Sequence, residues 1–508
     1  MNTVPSLFPF ALQRELIKRA SIISFLLLSG CSTVAITTET QQQAPFEFLP
    51  PAEQPDATEP LNSVKQESTA DAALVNKLSA DELAPPTRWV ESFQDPLLTR
   101  WVDNAIGNNF DLLEAKARVE AAQQQRRIAG APLWPSMDLG LNGQRQKNNR
   151  TAGTTDANTS SNASQYRNNF QAGVDIAWEV DLWGKLGDSL DAADYRWQAE
   201  QALFDSSRLS IAAQVARAWY NVTTQHLLTK LFQERVDNLS TNLDVIQSGY
   251  RQGINAALDV YLARTDLAGE RSNLLLQQAI EIDAIRQLQL LSGQYPSGAL
   301  PDLANYSWQL PPLTALDTEA LNAQTVRHRY DLQASFLELL ASDKDLAAAH
   351  KARFPSFRLT GSVGDSSDEF DQLFDPASLA WNLLGNLSQP LFAGGRLKAQ
   401  EQQQLAIVQQ KEQQYLKTLH TAFSEVEQAI TNESSLKAQL QQVRSAKELA
   451  EAAEELAFEE YRQGLQDYTS VLEAQRRAFN AQNTYVSIRN QLLQNRISLF
   501  LALGGDYR

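Results

Sequence analysis

The chain has 508 residues, is 43% hydrophobic and carries a formal charge of −16. That is apolar content enough for a folded core, while the acidity and the lack of a basic patch argue against nucleic acid as a partner. One cysteine excludes a disulfide framework, and the four histidines, His226, His328, His350 and His420, lack metal-ligand spacing, so no catalytic residue, cofactor or metal is expected.

Arg14, Lys18 and Arg19 precede the apolar run Ala20 to Leu28, which is too short to span a bilayer and ends at Leu28-Ser29-Gly30-Cys31. The pattern resembles a bacterial lipoprotein signal peptide over residues 1–30, with cleavage leaving Cys31 as the acylated first residue. By resemblance to sorted lipoproteins, Ser32 beside it favours the outer membrane. Several acyl chains on one residue anchor firmly, each buried methylene contributing about 0.8 kcal/mol. Residues 31–80 are rich in Pro, Gln, Thr and Glu with little periodicity and read as an extended leader. No later stretch suits a transmembrane helix, so a membrane crossing has to be a β-barrel.

The remainder is written twice. Tyr250-Arg251-Gln252-Gly253 returns as Tyr461-Arg462-Gln463-Gly464, 211 residues on, and Leu186 and Leu397, then Gly293 and Gly504, keep that offset. Upstream, Trp134-Pro135-Ser136 returns as Phe354-Pro355-Ser356 at an offset of 220, so the first copy carries about nine extra residues between Ser136 and Leu186. The repeats span residues 81–293 and 318–508, joined by a Pro-rich linker, 294–317. Proline is absent between Pro135 and Pro296 and after Pro390, which predicts helices of about 65 residues from Lys185 to Gly249 and from Arg396 to Tyr461, roughly 100 Å long. Half-length helices are predicted over Leu97 to Gly130, Ala256 to Ser292, Thr318 to Ala352 and Asp467 to Leu503, two of which end to end match one long helix. Phe232, Val236, Leu239, Leu243, Ile246 and Tyr250 form a heptad seam of coiled-coil type.

Between the helices lie amphipathic strands. Val174, Ile176, Trp178, Val180 and Leu182 alternate with Asp175, Ala177, Glu179 and Asp181, and Met137 to Gln144 supplies a partner; Phe357 to Val363 and Leu379 to Leu391 repeat the hairpin more loosely. Hairpins are thus expected at about 136–182 and 356–391, with Lys147 to Asn169 and Gly364 to Pro376 as exposed loops. The apolar face suits lipid and the polar face water. Four strands cannot close a transmembrane barrel, so copies must pool their hairpins; two, three or four copies give 8, 12 or 16 strands. Trp134 and Phe354 lead into the hairpins and Trp183 and Phe392 lead out, at one membrane level, as an interfacial girdle would.

This order of elements resembles the TolC-like outer-membrane efflux family, closest to its OprM-type lipoproteins, over nearly all of the mature chain. Trp89, Phe93 and Asp95-Pro96-Leu97, Gln389-Pro390-Leu391-Phe392 with Gly394-Gly395-Arg396, Leu472-Glu473-Ala474-Gln475 and Ala502-Leu503-Gly504-Gly505 carry the resemblance together with the repeated Tyr-Arg-Gln-Gly. It implies a mainly α fold with transmembrane β: a homotrimer with a twelve-strand barrel in the outer membrane and a helical periplasmic barrel. The implied function is the outer-membrane duct of a tripartite efflux system, with a periplasmic adaptor and an inner-membrane RND-type transporter as partners. Alternatives are the exit duct of a type I protein secretion system and a structural coiled-coil surface lipoprotein without a pore. The family closes its tunnel at the turns around Gly253 and Gly464. Tyr461 matches its gating tyrosine, Glu473 falls where a ring aspartate is usual, and Asp259 and Arg264 match an aspartate and an arginine. Gln466 and Ser470 replace an arginine and a second aspartate of TolC, so this gate is expected to rely less on ion pairs. Crowded copies of Glu473 would repel one another and attract cations.

Overall fold

The computed structural model describes residues 88–150, 163–300, 306–313, 325–373 and 379–505; the signal segment, Cys31, the leader and parts of the linker lie outside the described residues. The described helices are α1 (Pro96–Asn108), α2 (Phe110–Gly130), α3 (Lys185–Arg251), α4 (Ala257–Leu291), α5 (Tyr330–Lys351), α6 (Arg396–Arg462) and α7 (Tyr468–Ala502). The strands are β1 (Ser136–Arg150), β2 (Ala163–Val180), β3 (Ser356–Ser367) and β4 (Ala380–Ser388).

Asp95 starts the helical layer by accepting from the amides of Leu97 (3.0 Å) and Leu98 (3.1 Å), with Pro96 in the first turn where its missing N–H goes unneeded. The single helix expected over Leu97 to Gly130 is broken at Asn109 (φ −67°, ψ 130°). Asn109 accepts from the Leu112 amide at 3.1 Å, capping α2, and donates to the Leu291 carbonyl at 2.9 Å, where α4 ends. A Cβ on Gly293 would lie 2.4 Å from the Asn108 carbonyl oxygen, so glycine lets the two helices meet end to end. In the second repeat Arg329 takes the place of Asn109 and donates to the Ala502 carbonyl at 3.2 Å.

The duplication is exact in length: α3 and α6 have 67 residues each, α4 and α7 have 35. Near the sheet, α3 pairs with α2 through Arg126 and Asp194 and with α5 through Arg196 and Asp345, and α5 meets α6 through Lys411 and Glu338 at 3.0 Å. Farther out, α3 meets α4 through Arg235 and Glu270 (3.0 Å) and α7 through Arg217 and Ser498 (2.9 Å), while α7 meets α6 through Gln482 and Glu451 (2.6 Å). The layer therefore runs α2, α3, α5, α6 beside the sheet and α4, α3, α7, α6 beyond it. Its two outer helices keep apolar side chains in solvent, Leu275 and Leu276 on α4, Leu449 and Leu456 on α6.

The main core wraps the middle of α3. Trp219 and Tyr220 are buried against Trp89, Phe93, Leu98, Val102 and Phe500, and the linker segment 306–313 adds Tyr306, Trp308 and Leu310. Trp89 stacks on Phe500 at 5.5 Å, and Trp219 donates to Asp95 at 2.7 Å, tying the core to the first helix cap. Of the heptad seam, Val236, Leu239 and Ile246 are buried, Phe232 and Leu243 pack against them, and Tyr250 is exposed.

The copies differ inside. Val222 and Ile285 belong to the main apolar core, whereas Glu433 and Arg496, 211 residues on from each, form a buried ion pair at 2.5 Å with 2% and 3% of their side chains exposed. Asn495 donates to Glu433 at 3.2 Å and Lys437 lies 3.3 Å away. Burial pushes the Glu433 carboxyl up, but the hydrogen bond and charge of Arg496, with Asn495 and Lys437, outweigh it and hold the group below its usual value.

The sheet runs β1-β2-β3-β4, antiparallel throughout. One row places Asp138, Asp175, Ser362 and Asn382 side by side, and the next Leu139, Val174, Val363 and Trp381, so these rows alternate across all four strands, while Asp365 beside Ala172 and Leu384 beside Thr360 break the pattern in the second hairpin. Leu139 is 75% exposed and Leu383 71%, an apolar face without a protein cover. The strands run farther than expected: β1 continues to Arg150 and β2 begins at Ala163, taking in much of the polar stretch read as a loop, and β3 continues to Ser367. There the ladder persists with polar residues on both faces, which erases the period of two without breaking the backbone hydrogen bonds. β4 ends at Ser388, before Gln389 and Pro390, since proline has no N–H for the ladder. In one chain the outer edges of β1 and β4 have no strand partner among the described residues. No described helix is long and apolar enough to cross a membrane.

Candidate functional site

The tip farthest from the sheet consists of two like turns. Gly253 and Gly464 each take φ 75°, a conformation that only glycine adopts at no cost, and their amides donate to Tyr250 and Tyr461 at 3.0 Å. Just beyond them Ile254 and Leu465 project into solvent, 75% and 69% exposed.

Beneath the turns Ile246, Val260, Ala263, Tyr468 and Val471 form a small buried cluster, with Tyr461 packed at its edge. The Tyr461 hydroxyl oxygen accepts from Asn255 Nδ2 at 3.1 Å, which joins the end of α6 to the turn between α3 and α4. Asn255 also donates to the Ile246 carbonyl at 3.2 Å. The Tyr461 ring lies 5.7 Å from that of Tyr468, whose buried hydroxyl has no hydrogen-bond partner among the described residues. Burial raises both phenols above their ordinary value, Tyr468 by more. Tyr250, the counterpart of Tyr461, is exposed, so the two turns are bridged by the tyrosine of the second copy.

The polar residues of the second turn serve the start of α7. Asp467 accepts from the Ser470 amide at 2.9 Å and from its hydroxyl at 2.8 Å, and these bonds hold its carboxyl below the usual range. Gln466 accepts from the same hydroxyl at 3.2 Å. Asp259 does the matching work in the first copy, accepting from the Ala256 amide at 3.2 Å at the start of α4. Arg264, one turn on, is exposed and makes no ion pair among the described residues.

Glu473 is the most heavily paired acid of the tip. Its oxygens accept from Arg476 at 2.7 Å and from Arg477 at 2.7 Å, and these bonds keep its carboxyl below the usual value. One carboxylate with two guanidinium groups gives the cluster a net charge of +1 per chain, so repulsion among Glu473 copies is offset within each chain. Asn255, Asp467, Tyr468 and the arginine pair are absent from the sequence-predicted site. Asn255 is legible in hindsight, as the counterpart of Gln466 at the repeat offset, and Arg476 and Arg477 stand three and four residues after Glu473, the spacing that brings helix side chains together.

At the opposite end Trp134 and Phe392 are exposed at 76% and 91%. Trp183 and Phe354 pack edge to face at 5.5 Å, and Trp183 donates to the Pro355 carbonyl at 2.7 Å, so all four aromatics gather where helices become strands. Among the described residues no group of three or more His, Cys, Asp or Glu side chains is placed to hold a metal ion.

An open sheet with one apolar, solvent-facing side, set on helices of about 100 Å, is the build of an outer-membrane channel protein. The sequence profile of the outer membrane efflux protein family matches residues 101–294 and 322–505, and the chain belongs to that family. It is 29% identical over 487 residues to the toluene efflux pump outer membrane protein TtgF of Pseudomonas putida, with 96% of each chain covered. Among solved structures, the outer-membrane channel OprN is similar with a TM-score of 0.75 and 24% identity, over 84% of this chain and 96% of that one. The outer membrane channel CmeC of Campylobacter jejuni has the same TM-score and identity, over 82% and 88%; both likenesses are of fold. The protein is thus an efflux channel of the Gram-negative outer membrane that extends into the periplasm.

Proposed function

We propose that three copies pool their sheets into one twelve-strand barrel and their helices into a periplasmic tunnel, through which solutes delivered by an inner-membrane RND-type transporter and a periplasmic adaptor leave the cell. The supporting observation is the pair of unpartnered edges, β1 and β4, continued downward by the exposed apolar faces of α4 and α6. A strand edge and a helix face left open on both sides of a protomer are what a closed ring of copies requires. In this reading Cys31 carries the lipid, Trp134, Trp183, Phe354 and Phe392 sit at the periplasmic membrane interface, and the protein is a conduit with no cofactor or chemical step of its own. The tip is the gate. Tyr461, held by Asn255, keeps α6 against the first turn, and Gln466, Ser470 and Asp259 stiffen the starts of α7 and α4. Glu473 and Arg264 present charge to the opening. Cross-linking of cysteines placed on β1 and β4 tests the assembly.

A further inference from the structure

The outward face of the first hairpin changes character at one level. Along β1 the lipid-facing positions read Met137, Leu139, Leu141, Gly143, Arg145, Lys147, and along β2 they read Trp178, Ile176, Val174, Ala172, Phe170, Asn168, Tyr166. The register is continuous, with no bulge, so Arg145 and Lys147 project on the same side as the exposed leucines. From Ser136 to Arg145 the strand climbs roughly 23 Å along the membrane normal, taking about 3.3 Å per residue and a tilt near 40°. That matches the apolar band of an outer-membrane barrel, about 25 Å tall, so the two cations stand at its outer rim. Phe170, packed over Gly143 and 5.6 Å from Phe370, marks the same rim, as the tryptophans mark the inner one.

At the rim Tyr166 lies between the cations: the Arg145 guanidinium is 5.2 Å and the Lys147 ammonium 5.5 Å from its ring. Neither cation forms an ion pair among the described residues, whereas Lys185, Arg126, Arg196, Lys351 and Arg353 near the inner rim all do. Arg167, at almost the same height, belongs to the polar face and points into the lumen. Two cations without an ion pair among the described residues, held on an aromatic platform and facing the lipid at headgroup level, are placed to take anions from the membrane itself.

We propose that Arg145, Lys147 and Tyr166 form a site for the phosphate groups of lipopolysaccharide in the outer leaflet. Arg145 offers a planar fork that matches phosphate oxygens, Lys147 a second point charge, and Tyr166 holds both stems so that little freedom is lost on binding. The inference rests on the lipid-facing reading of this face.

The test uses the full-length protein in nanodiscs, with bis-phosphorylated lipid A as probe. Arg145→Gln/Lys147→Gln should weaken binding at least about tenfold, two charge-assisted contacts being lost. Arg167→Gln and the exchange Arg145→Lys/Lys147→Arg should bind as the parent does. Dephosphorylated lipid A should bind the parent as weakly as intact lipid A binds the double variant, and millimolar inorganic phosphate should not compete. Equal binding by parent and double variant overturns the proposal. So does a double variant that dissociates into single chains in lipid-free micelles, since the cations would then be holding a neighbouring copy. A parent that fails to insert into the discs would instead strike at the lipid-facing reading.

Discussion

Replacing Tyr461 by phenylalanine removes one oxygen and leaves the ring, so its packing 5.7 Å from Tyr468 survives while the bond from Asn255 is lost. A neutral hydrogen bond contributes about 0.5–1.5 kcal/mol net, and Asn255 keeps its second acceptor, the Ile246 carbonyl, so its amide is not stranded. A loss of about 1 kcal/mol per chain, summed over the three copies of the proposed trimer opening together, shifts the ratio of closed to open channels by roughly 150-fold. Single channels in a planar bilayer report this as open probability at fixed voltage. Asn255→Ala, which also gives up the bond to the Ile246 carbonyl, should open the channel at least as much, and the double variant should open no further than Asn255→Ala alone, because the Tyr461 bond is already lost there. Unchanged open probability in both single variants would refute the assignment of the Asn255–Tyr461 bond to the gate.

Arg496→Ile strands the Glu433 carboxylate in the core with Lys437 and Asn495 alone and should cost about 3 kcal/mol, the lower end for breaking a buried pair. Glu433→Val/Arg496→Ile copies Val222 and Ile285 of the first repeat and should match or exceed the parent in thermal unfolding followed by circular dichroism. The pair also sets an acid sensitivity. The folded Glu433 carboxyl lies below its unfolded value, so its contribution is complete above about pH 4.5 and fades as the pH falls through the folded value. The double variant should lose less stability than the parent over that range; equal losses would remove Glu433 from the acid response. At the proposed gate, Glu473→Ala raises the charge of its cluster from +1 to +2 per chain, so block by multivalent cations should weaken in the same bilayers; unchanged block would remove Glu473 from the gate.

Much of the architecture is legible along the chain because duplication and helix length are one-dimensional properties. The 211-residue offset maps α3 onto α6 and α4 onto α7, and the glycines at 253 and 464 mark the turns between them. What escapes a linear reading is set by partners far away. The break at Asn109 depends on Leu291, and the bond across the tip pairs Asn255 with Tyr461. An asparagine in either place carries no local sign that its amide is needed 182 or 206 residues away. The outer ends of β1 and β2 escape for another reason: above the apolar band both strand faces meet polar surroundings, and hydropathy no longer alternates. Resemblance draws attention to the acid at 473, whereas its net effect is set by the two arginines of the next turn.

In the proposed assembly the open edges of the sheet close on other copies. Cys31 is the only native cysteine and is the proposed site of acylation, so engineered thiols report cleanly. A cysteine at Asn386 on β4, combined in turn with cysteines along β1 from Ser136 to Gln144, should yield oxidised bands at two and three chain masses in membranes. Cross-linking should peak at one register and favour alternate positions, as paired strands demand. Single-chain mass at every position would rule out closure of the sheet between copies.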